Sequence, residues 1–137
     1  MRIDAYITEY ARKTPQSISL EEGKSSISYS CLDNSINAIA SSLMDFNHCR
    51  FAILAESGMQ YITVLMAVYR SANIAIPLPI EVPKFSLEKI LDAAHVKNII
   101  ATDTQYSRFE ENFFERFGTV IVISSNTSGE VLRKKIE

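Results

Sequence analysis

From Phe51 to Pro83 the chain reads FAILAESGMQYITVLMAVYRSANIAIPLPIEVP. The run Phe51 to Leu54 is wholly apolar. A short apolar run of this kind predicts a strand buried on both faces. Ser57-Gly58 then marks a turn and helix start, and apolar residues crowd nearly every side of the stretch reaching Ser71. A helix apolar nearly all round must be covered nearly all round. A second buried strand is expected over Ile74 to Ile76. Pro77, Pro79 and Pro83 forbid regular pairing and predict a stiff loop. This is the middle of a wound α/β sheet, and it suggests a piece of something larger.

The flanking segments fit that reading. Ile3, Tyr6, Ile7 and Tyr10 recur at helical spacing, with Asp4 and Glu9 early and Arg12 and Lys13 late, as the helix dipole favours. Pro15 ends this helix. Ile18 to Leu20, a turn at Glu22-Gly23-Lys24 and a return strand at Ile27 to Tyr29 predict a hairpin. Ser30 is expected to cap the next helix, helped by Asp33 as in a capping box, with Leu32, Ile36, Ile39, Ala40 and Leu43 as its buried stripe. Ser86 is expected to cap a helix through Leu87, Ile90 and Leu91. Asn98 to Ala101 predicts a strand. Thr104 to Phe117 predicts one amphipathic helix, with Phe109, Phe113 and Phe117 inward and Glu110, Glu111 and Glu115 outward. Val120 to Ile123 is a last buried strand, Ser124 to Gly129 a polar loop, and Glu130 to Glu137 a frayed helical tail. Strands alternating with helices predict parallel pairing through right-handed crossovers. The expected class is α/β: layered helices around a mainly parallel sheet, with a small N-terminal β-hairpin, in one domain spanning 1–137.

The totals narrow the function classes. The chain has 137 residues, 47% of them hydrophobic and 22% charged, with a net charge of −2. Nucleic acid binding needs a basic face, and only the short Arg133-Lys134-Lys135 run is basic. No apolar run approaches the ~20 residues of a membrane-spanning helix. The opening Met1-Arg2-Ile3-Asp4 places an acid where a secretory signal is apolar. Cys31 and Cys49 are therefore expected as reduced thiols in the cytoplasm.

Several segments together carry a family resemblance. Ile27-Ser28-Tyr29-Ser30-Cys31-Leu32 resembles an early core motif of the AMP-forming adenylating enzymes. That superfamily includes the acyl-CoA synthetases, peptide-synthetase adenylation domains and luciferase-like proteins. Phe51-Ala52-Ile53-Leu54, followed by Tyr61 and the apolar helix, is similar to the family's strand-helix pair. Val68-Tyr69-Arg70-Ser71-Ala72-Asn73-Ile74-Ala75-Ile76-Pro77-Leu78-Pro79 resembles its second core motif. Ile7 to Leu20 and Ile99-Ile100-Ala101-Thr102-Asp103 are also similar, so the resemblance spans about Ile3 to Ile123. Cys31 stands where the family has an acid, and Pro79 where many members have Asp or Asn. Asn73 stands for a glycine, the next best residue for a left-handed helix end.

The resemblance implies the N-terminal part of a carboxylate-activating ligase. Such an enzyme joins a carboxylate to ATP with Mg²⁺, giving an acyl-adenylate and pyrophosphate, then passes the acyl group to coenzyme A or a carrier-protein thiol. It implies that the ATP loop, the substrate pocket and the catalytic lysine lie downstream of the matched region. The chain is then expected to be an excised piece or a truncated gene product. No catalytic residue and no cofactor site is expected in it, and its partner would be the remainder of the enzyme, in cis or in trans. An exposed apolar surface would favour self-association. The other reading is a stand-alone α/β interaction or regulatory module derived from that family.

Candidate chemistry within the chain is sparse. Ser124-Ser125-Asn126-Thr127-Ser128-Gly129 has the flavour of the family's Ser/Thr/Gly phosphate loop. Ser125, Thr127, Ser128 and Gly129 are its weak ligand candidates. Asn126 replaces a glycine, however, and Val131-Leu132 stand where Pro-Lys belongs, so a polar loop is the expectation. Ser57-Gly58 opens a helix after a strand, a position that suits anions, and is expected to serve as a cap. Tyr29 and Tyr61 are expected to pack rather than react. His48, Cys49 and Cys31 form no ligand-spaced cluster, and no metal is expected. His95 ends a helix, where a cation is mildly favoured.

Overall fold

The computed structural model describes residues 3–56, 58–126 and 129–136. The chain opens with helix α1 (Ile3–Lys13) and the hairpin strands β1 (Ile18–Glu22) and β2 (Ser25–Ser28), which pair antiparallel. Helix α2 (Tyr29–Ser41) follows directly. Strand β3 (Arg50–Leu54), helix α3 (Met59–Arg70), strand β4 (Ile74–Pro77), helix α4 (Lys84–Ala94) and strand β5 (Asn98–Thr102) then alternate. Two short helices, α5 (Asp103–Tyr106) and α6 (Glu111–Phe114), precede strands β6 (Thr119–Ile123) and β7 (Val131–Ile136).

The main sheet has the order β4-β3-β5-β6-β7, parallel except for β7. Each central strand divides its side chains between two cores, because successive residues of a strand point to opposite faces. Phe51, Ile53, Ile100, Ile121 and Ile123 pack under α2 and α3. Ala52, Leu54, Ile99, Ala101, Val120 and Val122 pack under α4 and the Phe113-Phe114-Phe117 cluster. The sheet is thus covered on both sides, which is why its strands read as continuous apolar runs. Helix α3 is likewise covered: Met59, Thr63, Val64, Met66, Ala67 and Val68 are buried. The expected α/β architecture with its N-terminal hairpin is the one observed.

Local details depart from the sequence reading. Helix α2 is capped by Ser28, not Ser30: the Ser28 side chain accepts from the Cys31 N–H at 3.2 Å. Asp33 completes no capping box; it accepts from Thr8 Oγ1 at 2.8 Å and pairs with Arg70 at 2.9 Å. Helix α4 starts at Lys84 behind Pro83 rather than at Ser86. Pro77 lies inside β4, where pairing had been ruled out. Ile74 donates to the carbonyl of Cys49, just before β3, and Leu78 to that of Ile53 on β3. By alternation the Pro77 nitrogen faces away from β3, at the sheet edge, where a missing N–H breaks no ladder bond.

The single helix expected over Thr104 to Phe117 is two short ones. The Ser107 side chain caps back onto the Asp103 carbonyl at 2.9 Å, and the chain turns before α6. This break lets Phe114, which lies off the Tyr106-Phe109-Phe113-Phe117 stripe, join it: Tyr106 and Phe114 sit 4.5 Å apart, Phe113 and Phe114 5.0 Å. The expected frayed helix at the C-terminal end is strand β7. Its backbone pairs with β6 from Thr119–Ile136 to Ile123–Val131, satisfying an edge that would otherwise stand open.

The left-handed residue after α3 is Ala72 (φ 62), not Asn73. Asn73 is buried and acts as a cross-link instead. Its Oδ1 accepts from Cys49 N at 2.9 Å, and its Nδ2 donates to the Phe46 carbonyl at 3.3 Å and to Ser71.

Candidate functional site

In an open α/β sheet, ligands favour the crevice beyond the carboxyl ends of the strands where the chain order reverses. Here β4 and β5 flank β3, and the connections through α3 and α4 leave by opposite faces. The crevice therefore lies beyond Leu54 and Thr102. It is bridged by the protein's own groups. Glu56 accepts from Thr102 Oγ1 at 3.0 Å and from Gln105 Nε2 at 3.1 Å. Arg108 donates to Gln105 Oε1 and, at 2.9 Å, to the Ile80 carbonyl in the loop after β4. Thr102 also caps α5 through Gln105 N.

The two places where the sequence suits an anion are both occupied by carboxylates of the chain. At the start of α3, Gly58 has φ 132, and the Glu22 carboxylate of the hairpin accepts from Met59 N at 3.4 Å. A Cβ on Gly58 would collide with that carboxylate. Beyond β6, Ser125 donates from its hydroxyl and, at 3.1 Å, from its N–H to Asp103 Oδ1. Thr104 Oγ1 sits 2.6 Å from Ser125 Oγ. The Ser125 hydroxyl, the largest influence, holds the Asp103 carboxyl below its ordinary value of 3.8; burial opposes it next, and the N–H groups of Thr104 and Ser125 add smaller lowering effects. A carboxylate seated on these donors both uses them and repels phosphate. Among the described residues no group of three His, Cys, Asp or Glu side chains could hold a metal ion.

Gly129 is buried and has φ 75; a Cβ there would fall 2.5 Å from the Ser35 carbonyl oxygen. Its glycine is required by packing onto α2. Ser124 N bonds to the Glu130 carbonyl at 2.9 Å and closes the loop. Thr127, Ser128 and Ser57 lie outside the described residues. Tyr29 stacks on Tyr10 at 5.3 Å, and Tyr61 packs against the α2–α3 core. Cys31 is exposed and Cys49 half-buried. His48 (φ 56) and His95 (φ 53) both hold left-handed turns, the latter ending α4.

The sequence reading passed over Glu22, Glu56, Gln105 and Asp103 as site groups. A signal was present for Glu56 and Asp103: each is a polar residue one or two positions past an apolar strand, and hence at the carboxyl end of the sheet. Among the described residues, no helix is long and apolar enough to cross a membrane.

Solved structures that share this fold include the following three. Coronafacic acid ligase from Pectobacterium brasiliense is 14% identical with a TM-score of 0.78, covering 90% of this chain and 26% of its own. O-succinylbenzoate coenzyme A synthetase from Bacillus subtilis, solved in complex with AMP, is 16% identical with a TM-score of 0.72, covering 96% and 34%. The N-terminal subdomain of Klebsiella oxytoca NpsA, solved with 3-hydroxybenzoyl-AMSN, is 19% identical with a TM-score of 0.65, covering 72% and 26%. The chain thus spans about a quarter to a third of the length of these relatives. No curated protein sequence matches it. The AMP-binding enzyme profile matches residues 7–135, nearly the whole chain. With that match and the wound sheet behind its N-terminal hairpin, the chain belongs to the AMP-binding enzyme family.

Proposed function

We propose that this chain is the N-terminal subdomain of an AMP-forming carboxylate–thiol ligase and serves there as scaffold. The parent would adenylate an acyl, aryl or aminoacyl carboxylate with ATP and Mg²⁺, then transfer it to coenzyme A or a carrier-protein thiol. The observation that carries the scaffold reading is the self-occupied anion sites: Glu22 at the start of α3 and Asp103 on the Ser125 donors. A subdomain that binds nucleotide itself needs such donors vacant. In this reading the described residues orient the sheet's carboxyl end, where Glu56, Thr102 and Gln105 tie β3 to β5. They take no part in phosphoryl chemistry. The rest of the ligase, in cis or in trans, is the partner.

Titration of the chain with ATP and Mg²⁺ by calorimetry, paired with carboxylate-dependent pyrophosphate exchange, tests this. The expected result is no saturable heat and no exchange. Saturable ATP binding that is lost in Thr127→Ala would overturn the scaffold reading and make the loop after β6 a phosphate site.

A further inference from the structure

The loop between β4 and α4 helps to wall a cleft of about 370 Å³, lined by Pro77, Pro79 and Glu81 together with Ala55 and Tyr61. The loop is pinned at its start by Leu78, which is buried and donates to the Ile53 carbonyl at 2.9 Å. From Pro79 to Val82 the described residues contribute a single side-chain hydrogen bond, from Arg108 Nη1 to the Ile80 carbonyl at 2.9 Å. Arg108 is exposed, and it does not act alone. The same nitrogen donates to Oε1 of Gln105, whose Nε2 donates to Glu56 Oε1 at 3.1 Å. A chain of hydrogen bonds thus runs from the Glu56 carboxylate, past the end of β3, through a buried amide to the backbone of the loop.

The amide in the middle has one workable orientation. An ionised Glu56 can only accept and a guanidinium can only donate, so Gln105 must turn its nitrogen to the first and its oxygen to the second. Turned about, it would set N–H groups against the guanidinium and its oxygen against the carboxylate. At 4% exposed, it would have little solvent to relieve either clash. Glu56 is itself held from β5, where Thr102 Oγ1 donates to it at 3.0 Å. We infer that Glu56 and Gln105 are positioning residues for the loop after β4: Glu56 orients the Gln105 amide, Gln105 presents its oxygen to Arg108, and Arg108 latches the wall of the Tyr61 cleft. Among the described residues Glu56 makes no hydrogen bond to that loop, so its hold acts through Gln105. The inference stands apart from the scaffold reading, since the latch works whether or not the chain binds nucleotide.

Relaxation of the Ile80, Glu81 and Val82 amides in the ¹⁵N-labelled chain tests the latch. Order parameters are expected near the ~0.85 of rigid backbone, falling toward ~0.6 in Arg108→Ala, in Gln105→Met and in Glu56→Met. Glu56→Gln, whose amide oxygen still accepts from Gln105 Nε2, should keep the loop ordered. Glu56→Met combined with Arg108→Ala should loosen the loop no further than Arg108→Ala alone, because residues of one hydrogen-bond network are not additive. The β6 amides in the same spectra report whether each variant keeps its fold; should Gln105→Met lose it, the Glu56 and Arg108 variants decide. If Arg108→Ala loosens the loop but Glu56→Met does not, the Phe109 ring, 5.1 Å from the guanidinium, positions Arg108 and the proposal falls. If the loop stays ordered in every variant, Leu78 and the prolines hold it, and the latch is overturned as well.

Discussion

The two faces of the central sheet are held by different physics. The face under α4 and α6 is a hydrocarbon core: Phe113, Phe114 and Phe117 stack among Leu87, Leu91 and the even-numbered residues of β3 and β6. The face under α1, α2 and α3 has a comparable apolar core, but its three helices are locked by one cation. Arg70 bonds Asp4 Oδ2 at 3.1 Å, the Asp4 carbonyl at 2.9 Å and Thr8 Oγ1 at 2.6 Å on α1. On α2 it reaches Asn37 Oδ1 at 2.8 Å and Asp33 at 2.9 Å. Asp4 is 1% exposed, although α1 leaves Ile3, Tyr6 and Tyr10 about half in solvent. The deepest residue of that helix is therefore an acid, and its apolar stripe points partly outward. One face tolerates any filling of the right volume; the other depends on a fork of donors in one geometry.

Substitutions can break this comparison. Arg70→Ala removes the guanidinium that pairs with buried Asp4 and with Asp33 and should cost about 3–5 kcal/mol in urea unfolding. Arg70→Lys should recover little of that loss, since an ammonium cannot span five acceptors on two helices. Phe117→Ala should cost a similar ~3–5 kcal/mol, but Phe117→Leu should keep most of the stability, losing under ~1.5 kcal/mol. If the lysine variant recovers as fully as the leucine one, the two faces do not differ in kind.

Smaller effects sharpen the picture at the carboxyl end of the sheet. The folded Asp103 carboxyl is held below 3.8, chiefly by the Ser125 hydroxyl. A depressed folded value means that its contribution is fully present above the unfolded value and is lost as pH falls through the folded one. Protection of the Ser125 amide from hydrogen exchange should therefore hold from neutral pH down to the carboxylate range and fall below it. Asp103→Asn should show weaker protection with no such step. The smallest expected change is a gain: Ala72→Gly should stabilise by about 0.5–1 kcal/mol in the same urea assay, because Ala72 sits at φ 62. A loss there would mean that the Ala72 methyl group packs usefully.

Asn73 shows why some of this was hidden. Its place at a helix end was legible, and asparagine is a fair choice for a left-handed residue, yet the turn falls one residue earlier. What retains Asn73 is a set of backbone partners on the loop before β3, 24 to 27 positions away along the chain. The candidate site was only half legible in the same way. Polar residues past the strand ends could be seen, but their pairing across strands, Glu56 with Thr102 and Asp103 with Ser125, depends on which strands become neighbours.

By itself the sequence determined the elements whose burial is written as a period or an unbroken apolar run. These are β3, α3, the stripe of α2, β5, β6 and the layered α/β class they imply. Hydrophobic burial is non-directional and proportional to area, so a local pattern suffices to specify it. Only the tertiary structure decided what depends on partners distant in the chain. The tail became a strand because β6 offered an edge, and the predicted long helix broke so that Phe114 could join the aromatic cluster. Arg70, read as the end of an apolar helix, became the clamp of three helices. Directional bonds need both groups in place at once, and that meeting is a property of the fold.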